Sequence, residues 1–219
     1  MKTNTLHILA LCGVIGPIVF TLVLLVLGIL AAPYNHVAQY MSELGATGAP
    51  YALVMNIAGF IVLGCCILLS AFGLHQGINS SNKSIIGPTL LIFSGIGFIM
   101  TGFFSCDPGC VTVSIIGIVH GYAALLAQMA LILAILPFAF RVKNVKGWEK
   151  YDLFSLVMFL LSLLLAGLYK SFHFEETIGL LQRLSFGVPL AWFEIVMINL
   201  FRQTSSHHME NNAINTTTI

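Results

Sequence analysis

Six apolar runs, each about as long as a bilayer is thick, decide what this chain can become. They cover roughly 8–32, 51–74, 86–105, 113–138, 153–169 and 177–201 of the 219 residues. Crossing a hydrocarbon core of about 30 Å takes about 20 mainly apolar residues in a helix. None of the runs alternates as a barrel strand does. Helices satisfy their own backbone in lipid, so they are the remaining spanning solution. The predicted fold class is therefore all-α: a bundle of six transmembrane helices. A charged fraction of 8% excludes a soluble globular domain, which carries about 25%. One transmembrane domain is predicted over 1–202. The tail 203–219 is rich in Asn, Thr, Ser and His and is predicted disordered.

Lysine and arginine set the orientation. Lys2, Lys83, Arg141, Lys143, Lys146, Lys150 and Arg202 fall on one side of the runs, and only Lys170 falls in a loop on the other. Both termini are thus predicted cytoplasmic in the cell membrane, with loops 33–50, 106–112 and 170–176 facing outward. The asymmetry is a topology signal and implies no nucleic acid. The first run far exceeds the 7–15 residues of a signal-peptide core, and Pro33 follows the Ala31-Ala32 pair, so it reads as a retained span.

Polar groups interrupt this apolar chain at few places: Ser42-Glu43, Cys106-Asp107-Pro108-Gly109-Cys110, His120 and Arg183. An ionisable group at a helix centre costs about 2.5–3.5 kcal/mol on insertion scales. Each is therefore either paired for structure or kept for function. Arg183 lies about six residues into the sixth run and cannot lose its proton. It must snorkel or meet an anion, with Glu43 or Asp107 the expected partner. Glu194 is eleven residues away, roughly 16 Å by helical rise, too far for a direct pair. Glu194 itself reads as protonated and bonded to Asn56 or a hydroxyl. His120 lies roughly 10 Å inside the fourth run, either as a hydrogen-bonded core imidazole or as a base, relay or ligand group.

The remaining polar residues have plainer readings. Asp107 reads as the first residue of a turn. Ser42-Glu43 reads as the cap of a short helix in the first outer loop. Glu175 and Glu176 suit a helix N-terminus, and His173 an interface. Trp148 and Trp192 suit the aromatic belt on the cytoplasmic side. Cys106 and Cys110 flank an Asp-Pro-Gly turn, as a disulfide or as two free thiols. Cys12, Cys65 and Cys66 read as small hydrophobes. His207-His208 is too isolated to argue a metal site, and neither metal nor cofactor is expected. Small and polar residues form helical stripes predicted to face inward: Asn56, Gly59, Cys66, Ser70 and Gly73; Ser94, Gly97, Thr101 and Ser105; Gly117, His120, Gly121, Ala124 and Gln128; Arg183, Gly187, Leu190 and Glu194.

Three segments carry a family likeness: Ser42-Glu43-Leu44-Gly45-Ala46-Thr47-Gly48-Ala49-Pro50-Tyr51, Gly102-Phe103-Phe104-Ser105-Cys106-Asp107-Pro108-Gly109-Cys110, and His120-Gly121 with Ala123-Ala124. They resemble the domain of unknown function 998 family, six-helix membrane proteins of bacteria and archaea. The resemblance covers nearly the whole chain except the tail. Ser105 departs from it, standing where many relatives have proline. Ser42-Glu43-x-Gly45 and His120 more weakly resemble the damage-regulated autophagy modulator and FGF-receptor-activating-protein superfamily. That likeness implies a role with membrane lipids.

Function is predicted at the outward leaflet, where Ser42, Glu43, Asp107, His120 and Arg183 converge. The first reading is a site that binds or handles a lipid or other amphiphile, with Arg183 holding an anionic headgroup, His120 exchanging a proton or hydrogen bond, and Glu43 and Asp107 as further ligand-binding residues. The second is an intramembrane hydrolase or transferase, with His120 as base, Ser42 or water as nucleophile, and Asp107 or Glu43 orienting. A proton-coupled carrier using His120, Glu194 and Arg183, or a purely structural protein, also stays open. Membrane lipids are the expected partners, and a homo-oligomer is compatible with the sequence.

Overall fold

The computed structural model describes residues 3–80, 84–171 and 176–217, with the side chains of 4–80, 84–171 and 176–205. Every predicted run is a helix: α1 (Thr3–Leu30), α2 (Ala52–Gly77), α3 (Ile86–Phe103), α4 (Ile115–Val142), α5 (Tyr151–Ser171) and α6 (Ile178–Thr217). All six are long and apolar enough to span a bilayer, and the protein is a multi-pass membrane protein. The α6 backbone continues past 203, where composition places a disordered tail. Lys2, Lys83, His173, Glu175, His207 and His208 lie outside the described residues or side chains.

Each helix packs on its neighbours in sequence, and α1 closes on α6, so the helices form a ring in chain order. Short connections make successive helices antiparallel. One end of the ring therefore carries loops 31–51, 104–114 and 172–177, here termed the cavity end. The other carries Arg141, Lys143, Lys146, Lys150 and Arg202, here termed the basic end.

Small residues set the closest approaches. Gly97 of α3 lies on the α4 backbone, where an added Cβ would stand 2.6 Å from Ala127 N and 2.9 Å from Ala123 O. Beside it Ser94 Oγ donates to Ala127 O at 2.9 Å. The α3 stripe is thus an α3–α4 seam, the close contact that small residues permit within lipid. Asn56 sits in a π-helical stretch of α2, Met55–Ile61. Its Nδ2 donates to Gly45 O at 3.0 Å and Ser105 Oγ at 2.9 Å, tying the first cavity-end loop to the end of α3.

Two expectations need correction. Trp148 and Trp192 are fully buried and not in a lipid-facing belt. Both pack edge-on against Phe138, at 5.5 and 5.3 Å, and Trp192 Nε1 donates to Ser155 Oγ at 2.9 Å. Inside the ring the indole buries its whole surface and still satisfies its N–H. The α6 stripe also faces differently: Gly187 is exposed and Glu194 only partly buried. The inward face runs through Gln182, Ser185, Trp192, Phe193 and Val196, because burying two large aromatics outweighs burying the small stripe. Glu194 makes no hydrogen bond among the described residues, to Asn56 or to any hydroxyl.

At the basic end Arg141 is buried. Its guanidinium donates to His75 O (2.7 Å), Ser84 O (3.3 Å) and Ile78 O (3.4 Å). A cation at the C-terminus of α2 also meets the negative end of that helix dipole.

The α3–α4 seam yields a test. Gly97→Val is expected to destabilise the protein by about 1–3 kcal/mol through overpacking. Ser94→Ala, which only removes a hydrogen bond, should lose about 0.5–1.5 kcal/mol. Thermal unfolding in detergent micelles measures both.

Candidate functional site

The first cavity-end loop is folded around Glu43. Met41–Gly45 form a 3-10 turn. Glu43 Oε1 accepts from Tyr40 N and Oε2 from Gln39 Nε2, both at 2.8 Å. Ser42-Glu43 thus belongs to a capped turn. Both carboxylate oxygens of Glu43 are thereby engaged within the loop.

Arg183 meets no carboxylate among the described residues, which corrects the expected pairing with Glu43 or Asp107. Its Nη1 donates to Gln39 O and Gly179 O, both at 2.9 Å. Its Nη2 donates to the Tyr34 hydroxyl in a short contact and to His36 Nδ1 at 3.2 Å. The guanidinium also stacks 5.7 Å from the Tyr34 ring centroid. Placed under the loop by the first turns of α6, it reaches the loop carbonyls before any acid. Leu180 N adds a backbone bond to Val37 O at 2.9 Å, and Met41 N donates to Gln182 Oε1 at 2.6 Å. The loop is thus latched to α6 at several points. Burial first, and the Arg183 charge second, hold the His36 pKa below its ordinary 6.5.

Asp107 serves α4. Its Oδ2 accepts from Val113 N (2.9 Å) and Ser114 N (2.8 Å), and its Oδ1 from Ser114 Oγ (2.7 Å). Ser114 in turn N-caps α4 by accepting from Gly117 N at 3.0 Å. Gly117 packs against the carboxylate where a side chain would collide with it. The turn Asp107-Pro108-Gly109-Cys110 closes through Cys110 N to Asp107 O at 2.8 Å, with Gly109 at φ 67°. A disulfide joins Cys106 to Cys110 across it. Cys106 O accepts from Thr47 N at 2.9 Å, so this turn and the first loop are joined.

His120 is buried, and its Nδ1 lies 2.6 Å from Phe104 O. A carbonyl only accepts, so Nδ1 carries a proton. Its ring stands edge-on to Phe60 at 6.4 Å.

These elements enclose a cavity of about 230 Å³. Ser42, Asp107, Gly117, His120, Gly121, Ala124 and Gln128 line it, together with Tyr40, Tyr169, Lys170, Gln182 and Phe186. Of the predicted site residues, Ser42, Asp107 and His120 therefore share one cavity. Glu43 lies beyond the loop, on a second hollow of about 310 Å³, and Arg183 lines neither. No side chain on that second hollow is a deeply buried polar group. The cavity wall also contains residues the sequence reading did not single out as site residues: Tyr40, Tyr169, Lys170 and Gln182. Gln182 had a usable signal, a second polar residue in the sixth run beside Arg183.

Ser42, Asp107 and His120 make no hydrogen bond to one another among the described residues. The carboxylate that would orient a base is committed to the start of α4. Below the cavity Gln128 Nε2 bonds to Ser185 Oγ in a short contact. Deeper still, Leu131, Ile135, Trp192 and Phe193 are fully buried.

The model of the family described as Protein of unknown function (DUF998) matches residues 14–199. The chain belongs to this family. The match spans every cavity-lining residue named above. No curated protein matches the chain, and no solved structure does. The DUF998 description carries no activity, so the function of this DUF998 protein has to be argued from its geometry.

Two outcomes follow. Arg183→Lys keeps the charge but not the fork, so it should lose about 1.5–3 kcal/mol of stability and expose loop 33–50 to limited proteolysis. Asp107 has its pKa held below the ordinary 3.8, first by the Ser114 hydroxyl, then by the Ser114 and Val113 N–H groups. A carboxyl lowered in the folded state stabilises above its unfolded value, and that contribution is lost as pH falls through the folded value. Asp107→Asn should therefore flatten the decline of melting temperature below about pH 4.

Proposed function

We propose that this protein lies in the cell membrane with both termini cytoplasmic, and that its outward cavity binds the head of a lipid or other amphiphile. The orientation rests on the lysines and arginines gathered at the basic end. The Cys106–Cys110 disulfide at the cavity end supports it, because disulfides persist on the oxidising side of a membrane.

One observation carries the binding reading. Ser42 of the first loop, His120 and Gln128 of α4, and Gln182 of α6 are each more than nine-tenths buried, and all line one cavity. In an apolar chain such groups are costly unless satisfied. Ser42 Oγ and Gln128 Oε1 make no hydrogen bond among the described residues. Their capacity is left for what enters the cavity. The role of Arg183 in this reading is to hold the loop that carries Tyr40 and Ser42 over the cavity. It does not touch the ligand. Asp107 likewise builds the rim, and Glu43 the loop.

Gly121 tests the reading. It lines the cavity, and a Cβ added there would meet nothing within 4 Å. Gly167 on α5 has the same free space outside the cavity lining. Gly121→Leu should fill the cavity without unfolding the protein and reduce rebinding of lipid to delipidated protein by at least about tenfold, equivalent to about 1.4 kcal/mol. Gly167→Leu should bind as the unaltered protein does. Equal rebinding by both variants, measured by native mass spectrometry, would overturn the cavity site.

A further inference from the structure

The charges on the cavity wall are unevenly placed. Asp107 and Lys170 are its only Asp, Glu, Lys or Arg side chains among the described residues. Asp107 lies in the rim turn with three hydrogen bonds already made. Lys170 is exposed in the last turn of α5, its Nζ 5.5 Å from the Tyr169 ring centroid. Arg183, half-buried near the cavity end, is outside the lining and committed to the loop and to Gly179 O. Below the rim the polar wall is Ser42, His120, Gln128 and Gln182: a hydroxyl, an imidazole and two amides.

Resting on the binding reading above, we infer that the head held in this cavity is neutral and hydroxyl-bearing, a glycerol or a single sugar ring, and not a phosphate. A phosphate seated among Ser42, His120, Gln128 and Gln182 would bring its charge beside no buried Lys or Arg among the described lining residues, since Lys170 is exposed, and an unpaired buried charge is strongly unfavourable. A hydroxyl both donates and accepts, as do the serine hydroxyl and the primary amides facing it. Met41 N holds the Gln182 oxygen and Ser185 the Gln128 amide nitrogen, which turns the Gln182 NH2 and the Gln128 oxygen toward a partner that can both accept and donate. Size agrees: a cavity of about 230 Å³ has room for a single ring. Tyr40, Tyr169 and Phe186 add flat apolar faces to the same wall, suited to the carbon skeleton of such a head.

The experiment uses delipidated full-length protein in detergent, with monoglucosyl diacylglycerol, phosphatidic acid of the same acyl chains, and free glucose as probes. Binding is read by native mass spectrometry and by competition. The glucolipid is expected to bind more tightly than phosphatidic acid. Ser42→Ala and Gln128→Leu should each weaken glucolipid binding about three- to tenfold, the loss of a buried hydrogen bond, and leave phosphatidic acid unchanged. Ser42→Ala serves as the safer variant because its hydroxyl makes no bond within the protein. Free glucose competing as well as the glucolipid keeps the head chemistry and makes the source a soluble sugar. Tighter binding of phosphatidic acid that is lost in Gly121→Leu overturns this inference and leaves the cavity site standing. Binding of neither lipid, or binding indifferent to Gly121→Leu, overturns both.

Discussion

The guanidinium of Arg183 determines the shape of the cavity end. It collects two carbonyls, a phenol and an imidazole, most of them from the loop between α1 and α2. With the loop so held, Tyr40 and Ser42 close over the end of the ring and Met41 N reaches Gln182. The turn at Cys106 then leans on the same loop through Thr47. Without the guanidinium the loop would keep its own capped turn, but only the bonds of Val37 O to Leu180 N and of Met41 N to Gln182 would hold it against α6. Charged hydrogen bonds to backbone are among the stronger ones a protein makes, and here they fasten a loop that buries little apolar surface of its own.

Arg141 repeats the arrangement at the opposite end of the ring. It too donates through its Nη atoms to carbonyls, from the end of α2 and the loop after it, and it too lies close to a histidine Nδ1, that of His75 at 3.3 Å. A chain with 8% charged residues has few acids to spare for pairing. It uses helix C-termini and loop carbonyls instead, groups already present and in need of donors. The acids are deployed the same way, Glu43 and Asp107 each serving backbone N–H groups at the start of a turn or helix.

The helices were plain in the sequence because length and apolarity alone decide a span. So were the capped turn at Ser42-Glu43, the turn at Asp107 and the polar face of α4 at His120 and Gln128, all local patterns. The partner of Arg183 was not legible. Opposite charge suggested Glu43 or Asp107, but neither backbone carbonyls nor the fold of an 18-residue loop leave a residue-level signature. The α6 face was misjudged for a related reason. Spacing identifies a stripe but does not say which stripe wins when Trp192 and Phe193 compete with Gly187 and Glu194 for the interior. The separation of Glu43 and Arg183 from the cavity follows from both points.

A latch built from a cation and carbonyl dipoles has no anion in it. Dissolved salt weakens a pair of exposed opposite charges by screening each from the other, and acid weakens it by neutralising the carboxylate. Neither route reaches Gln39 O or Gly179 O, which carry no charge to screen or proton to gain. The first loop of this DUF998 protein is thus held by carbonyl contacts that added salt weakens little.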